Sequence, residues 1–91
     1  MSKVRAHIYV TGKVQGVFFR QNTKRQAQSY GVCGWVSNLL DGRVEAVFEG
    51  EDVAVKEVVS YCHCGPSFAK IVSVEVFFEG YTGEFLDFQI I

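Results

Sequence analysis

Apolar and polar residues alternate near the start of the chain, with apolar side chains at every second position of residues 4–11. This two-residue period predicts a half-buried β-strand. From Phe19 the apolar spacing widens to that of an amphipathic helix, and Gly31 stands where such a helix would end. The first elements are therefore a strand, a loop at residues 12–17 that contains two glycines, and a helix.

Two further strands and a second helix are predicted in the middle of the chain. Residues 32–39 and 43–49 have strand character, and Asp41-Gly42 between them is a dipeptide typical of a β-hairpin. A helix follows from about Glu51 and ends at Gly65-Pro66. Its apolar positions have the spacing of one core-facing stripe: Val55, Val58, Val59 and Cys62.

The last third of the chain is predicted to form one long strand, residues 69–78, and one short strand, residues 85–91. Alternation places two groups of apolar residues on the core side: Val72, Val74, Val76 and Phe78, and then Leu86, Phe88 and Ile90. The complete order is β-α-β-β-α-β with an extra C-terminal strand. It predicts an α+β fold of the ferredoxin-like, split β-α-β type, with two helices on one face of a mainly antiparallel sheet.

Composition limits the classes of function. The 91 residues fit a single domain over residues 1–91, and 48% of them are hydrophobic, which is enough for one core. The net charge of −1 argues against a nucleic-acid partner, and no apolar run is long enough for a membrane span. The N-terminus lacks a signal-peptide pattern and the cysteines number three, so we expect a cytoplasmic monomer with reduced thiols.

The loop before the first helix is a candidate anion-binding site. Its backbone N–H groups, with those of the first helical turn, can bind an anion, and Gly16 lets the backbone come close to a ligand. Arg20 falls in that first turn, where a cation opposes the helix dipole unless it serves a bound anion. A guanidinium also binds phosphate through two parallel hydrogen bonds. The alternative is an ordinary loop with a solvated arginine.

Two segments resemble the signatures of the acylphosphatase family. Residues Gly12 to Arg20 fit Gly-x-Val-Gln-Gly-Val-x-(Phe or Tyr)-Arg, and residues Gly34 to Glu45 are similar to the second signature of the family, Gly-Trp-Val-x-Asn-x-x-Asp-Gly-x-Val-Glu. The resemblance implies that Arg20 binds a phosphoryl group and that Asn38 holds the attacking water. It assigns the remaining phosphate contacts to the backbone amides of Gln15, Gly16, Val17, Phe18 and Phe19.

The same resemblance implies hydrolysis of the carboxyl–phosphate bond of small acyl phosphates, without metal or cofactor and with inorganic phosphate as a competitive inhibitor. The sparse set of site residues fits this substrate, because a carboxylate with a pKa of about 4 leaves without a general acid. Phosphoryl transfer then depends mainly on positioning and charge stabilisation. The alternative function is a non-catalytic acylphosphatase-like module that binds or senses an anion.

Other motifs are assigned to structure. No cysteine stands six residues before an arginine, as a cysteine phosphatase requires, and the P-loop pattern is absent. Cys62 and Cys64, two residues apart on a helix, point in different directions and so do not form a metal site. His7 is expected on the open face of the sheet. Trp35 is expected either to form a wall of the site near Asn38 or to pack elsewhere, and Asn38 itself has the alternative of capping a turn.

Overall fold

Five strands and two helices follow one another in the predicted order in the computed structural model, which describes residues 2–91. Their bounds are β1 Lys3–Lys13, α1 Phe19–Ser29, β2 Cys33–Asn38, β3 Val44–Glu51, α2 Asp52–Cys64, β4 Lys70–Glu79 and β5 Phe88–Ile90. Met1, which the domain prediction included, lies outside the described residues. No helix within residues 2–91 is long and apolar enough to cross a membrane.

The strands form one sheet in the order β4-β1-β3-β2-β5, in which only the pairing of β5 with β2 is parallel. Both helices bury their apolar faces in one core with the sheet. The predicted stripe of α2 is buried throughout. From α1 the buried residues are Phe19, Thr23 and Ala27. The ferredoxin-like α+β fold, with two helices on one face of a mainly antiparallel sheet, is therefore confirmed.

The prediction of which residues face the core is wrong for the first half of β4. Val74 and Val76 pack against the core, but Val72 is 77% exposed and Ile71 packs against the core instead. The pairing of β4 with β1 shifts register between Thr11 and Gly12, which leaves one extra residue on β4. At such a bulge two residues of one strand lie opposite one residue of the other. The residues of β4 before the bulge therefore point to the opposite face from the one that strict alternation predicts.

Two other residues predicted to face the core are exposed. Phe78 lies near the end of β4, an edge strand with a neighbour on one side only, and its side chain is largely exposed. The last strand begins at Phe88 and not at Phe85. Leu86 therefore lies in the preceding connection, where it is 98% exposed. Phe88 itself is buried, as predicted.

The face of the sheet opposite the helices carries a charged network centred on Glu49, which is only 2% exposed. Its carboxylate accepts hydrogen bonds from Nη1 of Arg5 at 3.1 Å, from N and Oγ1 of Thr82 at 2.9 Å each, and from N of Gly83 at 3.0 Å. Burial raises the pKa of Glu49, but these donors outweigh burial and hold it below the ordinary value of 4.5. Glu49 thus fastens the segment after β4 to the middle of the sheet.

His7 lies on this open face, as predicted. Its Nε2 is 2.6 Å from a carboxylate oxygen of Glu45 and its Nδ1 is 3.1 Å from Glu79. The ring of Trp35 meets the ring of His7 edge-on, with 6.2 Å between the ring centroids. Trp35 therefore packs on the open face, which favours the packing interpretation over a wall beside Asn38.

We expect Glu49→Gln to lower the free energy of unfolding by about 1.5–3 kcal/mol at pH 7, the typical value for hydrogen bonds to a charged group. Because the folded pKa of Glu49 is lowered, its ionised form stabilises the fold above pH 4.5. This contribution is lost as the pH falls through the folded pKa. Urea unfolding at decreasing pH should therefore show the difference between the variant and the wild type shrinking.

Glu84→Gln is the control, since Glu84 belongs to the same network but its side chain is largely exposed. Exposed ion pairs contribute roughly 0–1 kcal/mol, so this variant should change stability little. A Glu49→Gln variant whose loss of stability is the same at pH 7 and at strongly acidic pH would contradict the role of the ionised carboxylate.

Candidate active site

The loop between β1 and α1, residues 14–18, turns twice through backbone conformations with positive φ. Gly16 has a φ of 73° and Phe18 a φ of 65°, and Phe18 is the only non-glycine residue of this kind within residues 2–91. A left-handed conformation costs a residue with a Cβ about 1–2 kcal/mol. Asn22 holds Phe18 in place, because its Nδ2 and its backbone N donate to the Phe18 carbonyl at 2.8 and 3.1 Å.

The backbone N–H groups of residues 15–20 pair with no acceptor in the part of the chain that the structure describes. The first bonded N–H of α1 is that of Asn22. Free N–H groups at the start of a helix, together with the positive end of the helix dipole, make an anion-binding site. Six consecutive residues of this loop and first helical turn therefore have a donor available for an anion.

A hollow of about 150 Å³ opens at this loop. Four of the six predicted phosphate-binding residues line it, together with Val14 and Gln21: Gly16, Phe18, Phe19 and Arg20. The other two do not line it. Val17 turns its side chain into the core, where it is buried, so only its backbone is available for a ligand.

The guanidinium of Arg20 has no carboxylate partner within residues 2–91. Arg5 and Arg43 form ion pairs with carboxylates, whereas Arg25 has no such partner in the described part of the chain but is exposed to solvent. The first turn of α1 contains no acidic residue that could balance the charge. Arg20 is half-buried at the positive end of a helix dipole, which is an unfavourable place for a cation without a bound anion.

Asn38 is the last residue of β2 and lies opposite the buried Val44. Its Oδ1 is buried and accepts no hydrogen bond from any residue in the described range 2–91. A buried acceptor without a partner costs about 1–3 kcal/mol, so it requires an explanation. Asn38 does not cap a turn through this oxygen, and it is not among the residues that line the hollow.

The side chain of Gln15 connects the loop to the β2–β3 hairpin. Its Nε2 donates to the carbonyl oxygens of Leu39 at 2.7 Å and of Arg43 at 2.9 Å. Leu39 directly follows Asn38, so this contact brings the loop and Asn38 into one region. The sequence assigned Gln15 only a backbone N–H. Its side-chain role was missed because nothing in the local sequence shows which distant carbonyls lie within its reach.

The cysteines differ in environment, as predicted. Cys62 is buried and Cys64 is exposed. Burial raises the pKa of the Cys62 thiol to about 12, so this thiol stays protonated and unreactive at neutral pH. Within residues 2–91, no three His, Cys, Asp or Glu side chains are grouped to hold a metal ion.

The fold and the loop define a small α+β domain with a candidate anion-binding site at the start of its first helix. A family model described as Acylphosphatase matches residues 6–90. A protein of Roseiflexus sp. (strain RS-1) named Acylphosphatase is 53% identical over 91 residues, which are 100% of this chain and 98% of the relative. The chain therefore belongs to the acylphosphatase family.

Solved structures agree with this assignment. The crystal structure of acylphosphatase from Bacillus subtilis superposes with a TM-score of 0.93 at 33% identity, covering 97% of this chain and 98% of that one. Full-length HypF, in a phosphate- and nucleotide-bound form, contains a similar region with a TM-score of 0.86 at 26% identity. That match covers 99% of this chain but only 12% of HypF. The family fold thus occurs both as a whole chain and within a larger protein.

Gly16→Ala should weaken phosphate binding as well as stability. The added Cβ meets no atom within 4 Å, so the loss of stability comes from the positive φ of 73° alone and amounts to about 1–2 kcal/mol. The methyl group would, however, stand at the rim of the hollow and disturb the loop that presents the N–H groups. Titration with inorganic phosphate and urea unfolding measure the two effects.

Gly31→Ala is a matched control, because Gly31 has a φ of 69° and an equally open Cβ position but lies after the C-terminal end of α1. We expect both variants to lose similar stability and only Gly16→Ala to lose phosphate affinity. Equal phosphate affinities for the two variants would show that the loop conformation at Gly16 does not matter for binding.

Proposed function

We propose that this chain hydrolyses the carboxyl–phosphate bond of small acyl phosphates, with Arg20 and the backbone N–H groups of residues 15–20 as phosphate ligands and Asn38 as the residue that orients the attacking water. The reaction is that of the family to which the chain belongs. One observation carries the assignment of the site. An arginine without a carboxylate partner stands beside six backbone N–H groups that no acceptor within residues 2–91 uses.

Arg20 and the loop act on the charge of the phosphoryl group. In phosphoryl transfer the transition state is loose, and negative charge spreads over three equatorial oxygens. A planar guanidinium forms two parallel hydrogen bonds to such a group, and the N–H groups supply fixed dipoles that require no reorganisation. The bond from phosphorus to the acyl oxygen breaks, and the carboxylate leaves as an anion because its pKa is about 4. No general acid is needed.

Asn38 acts on the nucleophile. Unlike Oδ1, the Nδ2 atom of Asn38 is not buried, and it can donate a hydrogen bond to a water molecule that directs its other lone pair at phosphorus. As the new P–O bond forms, the water loses a proton, and an oxygen of the transferred phosphoryl group accepts it. The products are a carboxylate and inorganic phosphate.

Two finer expectations belong to this proposal. Inorganic phosphate should inhibit competitively, since it carries the group that Arg20 and the loop bind. A cytoplasmic location also stays a prediction, supported by the three free cysteines, and so does the monomeric state. The non-catalytic alternative has no observation in its favour, because Arg20, Asn38 and the loop are all present.

Arg20→Gln and Arg20→Lys should both lower kcat/KM by at least about 10²-fold, the effect of removing one preorganised charge-stabilising group. Lysine should fail because a point charge does not replace the planar fork. Inhibition by inorganic phosphate should weaken in parallel, while the Tm should not fall, since Arg20 forms no ion pair within residues 2–91. For Arg20→Gln the Tm should rise by a few degrees, because a cation that opposes the helix dipole is removed. The assay follows the decay of acetyl or benzoyl phosphate.

Arg25→Gln is the control, because Arg25 is exposed on the same helix. It should leave kcat/KM and phosphate inhibition as in the wild type. A lysine variant at position 20 with most of the wild-type efficiency would refute the bidentate role of Arg20.

Asn38→Ala should lower kcat by about 10²-fold while KM and the inhibition constant of phosphate change little. The phosphate ligands remain in this variant, and only the orientation of the water is lost. The Tm should not fall, because the substitution removes a buried acceptor that has no partner within residues 2–91. A destabilised variant with wild-type kcat would instead show that Asn38 supports the turn.

A further inference from the structure

We infer that the side chain of Gln15 is a positioning residue, which sets the distance between the phosphate-binding loop and Asn38. The inference rests on the proposed function. It assigns to Gln15 a role separate from its backbone N–H: the side chain contacts neither phosphate nor water, and it acts through Asn38.

The need for such a connection follows from the pairing of β1. This strand pairs with β3 only as far as Val10 opposite Val44, whereas it continues along β4 to Lys13. Because β3 begins at Val44, the chain beyond Val10 is paired with β4 alone, and no strand pairing in the described part of the chain joins the loop to the hairpin that carries Asn38. Within residues 2–91, no hydrogen bond other than those of Gln15 joins residues 14–18 to residues 38–44.

The geometry of Gln15 makes this connection specific. Both N–H bonds of its amide are used, one on the carbonyl of Leu39 and one on the carbonyl of Arg43. These two residues face each other at the mouth of the hairpin, where N of Leu39 donates to the Arg43 carbonyl at 2.8 Å. Rotating the amide by 180° would place Oε1 against two carbonyl oxygens, so only one orientation is available. The side chain thus holds the loop to both ends of the turn that joins β2 and β3.

The side chain of Asn38 depends on the contact between Gln15 and the hairpin, because it forms no hydrogen bond of its own within residues 2–91. Its Oδ1 has no hydrogen-bond partner within residues 2–91, so the position of the amide follows the backbone of the hairpin. The loop, in turn, keeps its N–H groups for the anion. A shift of the hairpin relative to the loop would move the water and leave the phosphate ligands in place. Misplacement by about 1 Å can lower a rate by about 10²-fold.

Gln15→Met tests this role, since methionine has a similar length and no donor, and the backbone N–H of residue 15 is retained. We expect kcat to fall by between about 10- and 100-fold while the inhibition constant of inorganic phosphate stays within about 2-fold of the wild type. Rates are expressed per phosphate-binding site, as titrated with inorganic phosphate, so that loss of folded protein does not count. Gln28→Met makes the same change at an exposed position of α1 and should leave both constants unchanged.

A double-mutant cycle with Asn38→Ala separates this role from a general structural effect. If Gln15 acts through Asn38, Gln15→Met should change kcat by less than about 2-fold in the Asn38→Ala background. Fully multiplicative losses, or a loss of phosphate affinity that parallels the loss of kcat, would overturn the inference. Wild-type kcat in Asn38→Ala would overturn the proposed role of Asn38. Reduced kcat in Asn38→Ala with wild-type kcat in Gln15→Met would overturn only the role of Gln15.

Discussion

The loop between β1 and α1 is held by its side chains, because its backbone N–H groups take no part in hydrogen bonds within residues 2–91. Val14, Val17 and Phe19 are buried in the core, while Gln15 bonds to the hairpin and Asn22 bonds to a loop carbonyl. Ordinary loops satisfy backbone donors internally or with water. Here side chains hold the loop in place and its backbone N–H groups stay free of protein acceptors within residues 2–91. The proposed phosphate binding depends on these free N–H groups.

Some charged side chains stabilise the fold through ion pairs, whereas Arg20 is assigned to the proposed activity. On the open face of the sheet, Arg5 and Glu49 pair with each other and with further partners, so their charges support the fold. Arg20 carries a charge that no carboxylate within residues 2–91 balances, in a position that costs about 0.3–1 kcal/mol against the helix dipole. The charges that stabilise the fold and the charge assigned to the proposed activity therefore lie on separate residues.

The local sequence was sufficient for the order of the elements and for most of the candidate site. Periods of two and of three to four residues reflect which side chains meet the core, so the strands and the stripe of α2 could be predicted. Most of the hollow is lined by a contiguous segment that includes Gly16 and Arg20, so its residues could be read from one stretch of the chain. Asn38 was assigned from the second signature, and its role stays a prediction.

Tertiary structure alone decided the features that join distant segments. The bulge at Val72 depends on the register between β4 and β1, and a period of two contains no information about where a register shifts. Gln15 finds its acceptors 24 and 28 residues away, and Glu49 finds Thr82 33 residues away. These partners meet because the packing of the sheet and helices brings the loops and turns between the elements together. The sequence therefore determined the order of the elements, most of the buried faces and the candidates for the chemistry, while packing determined how those residues are held.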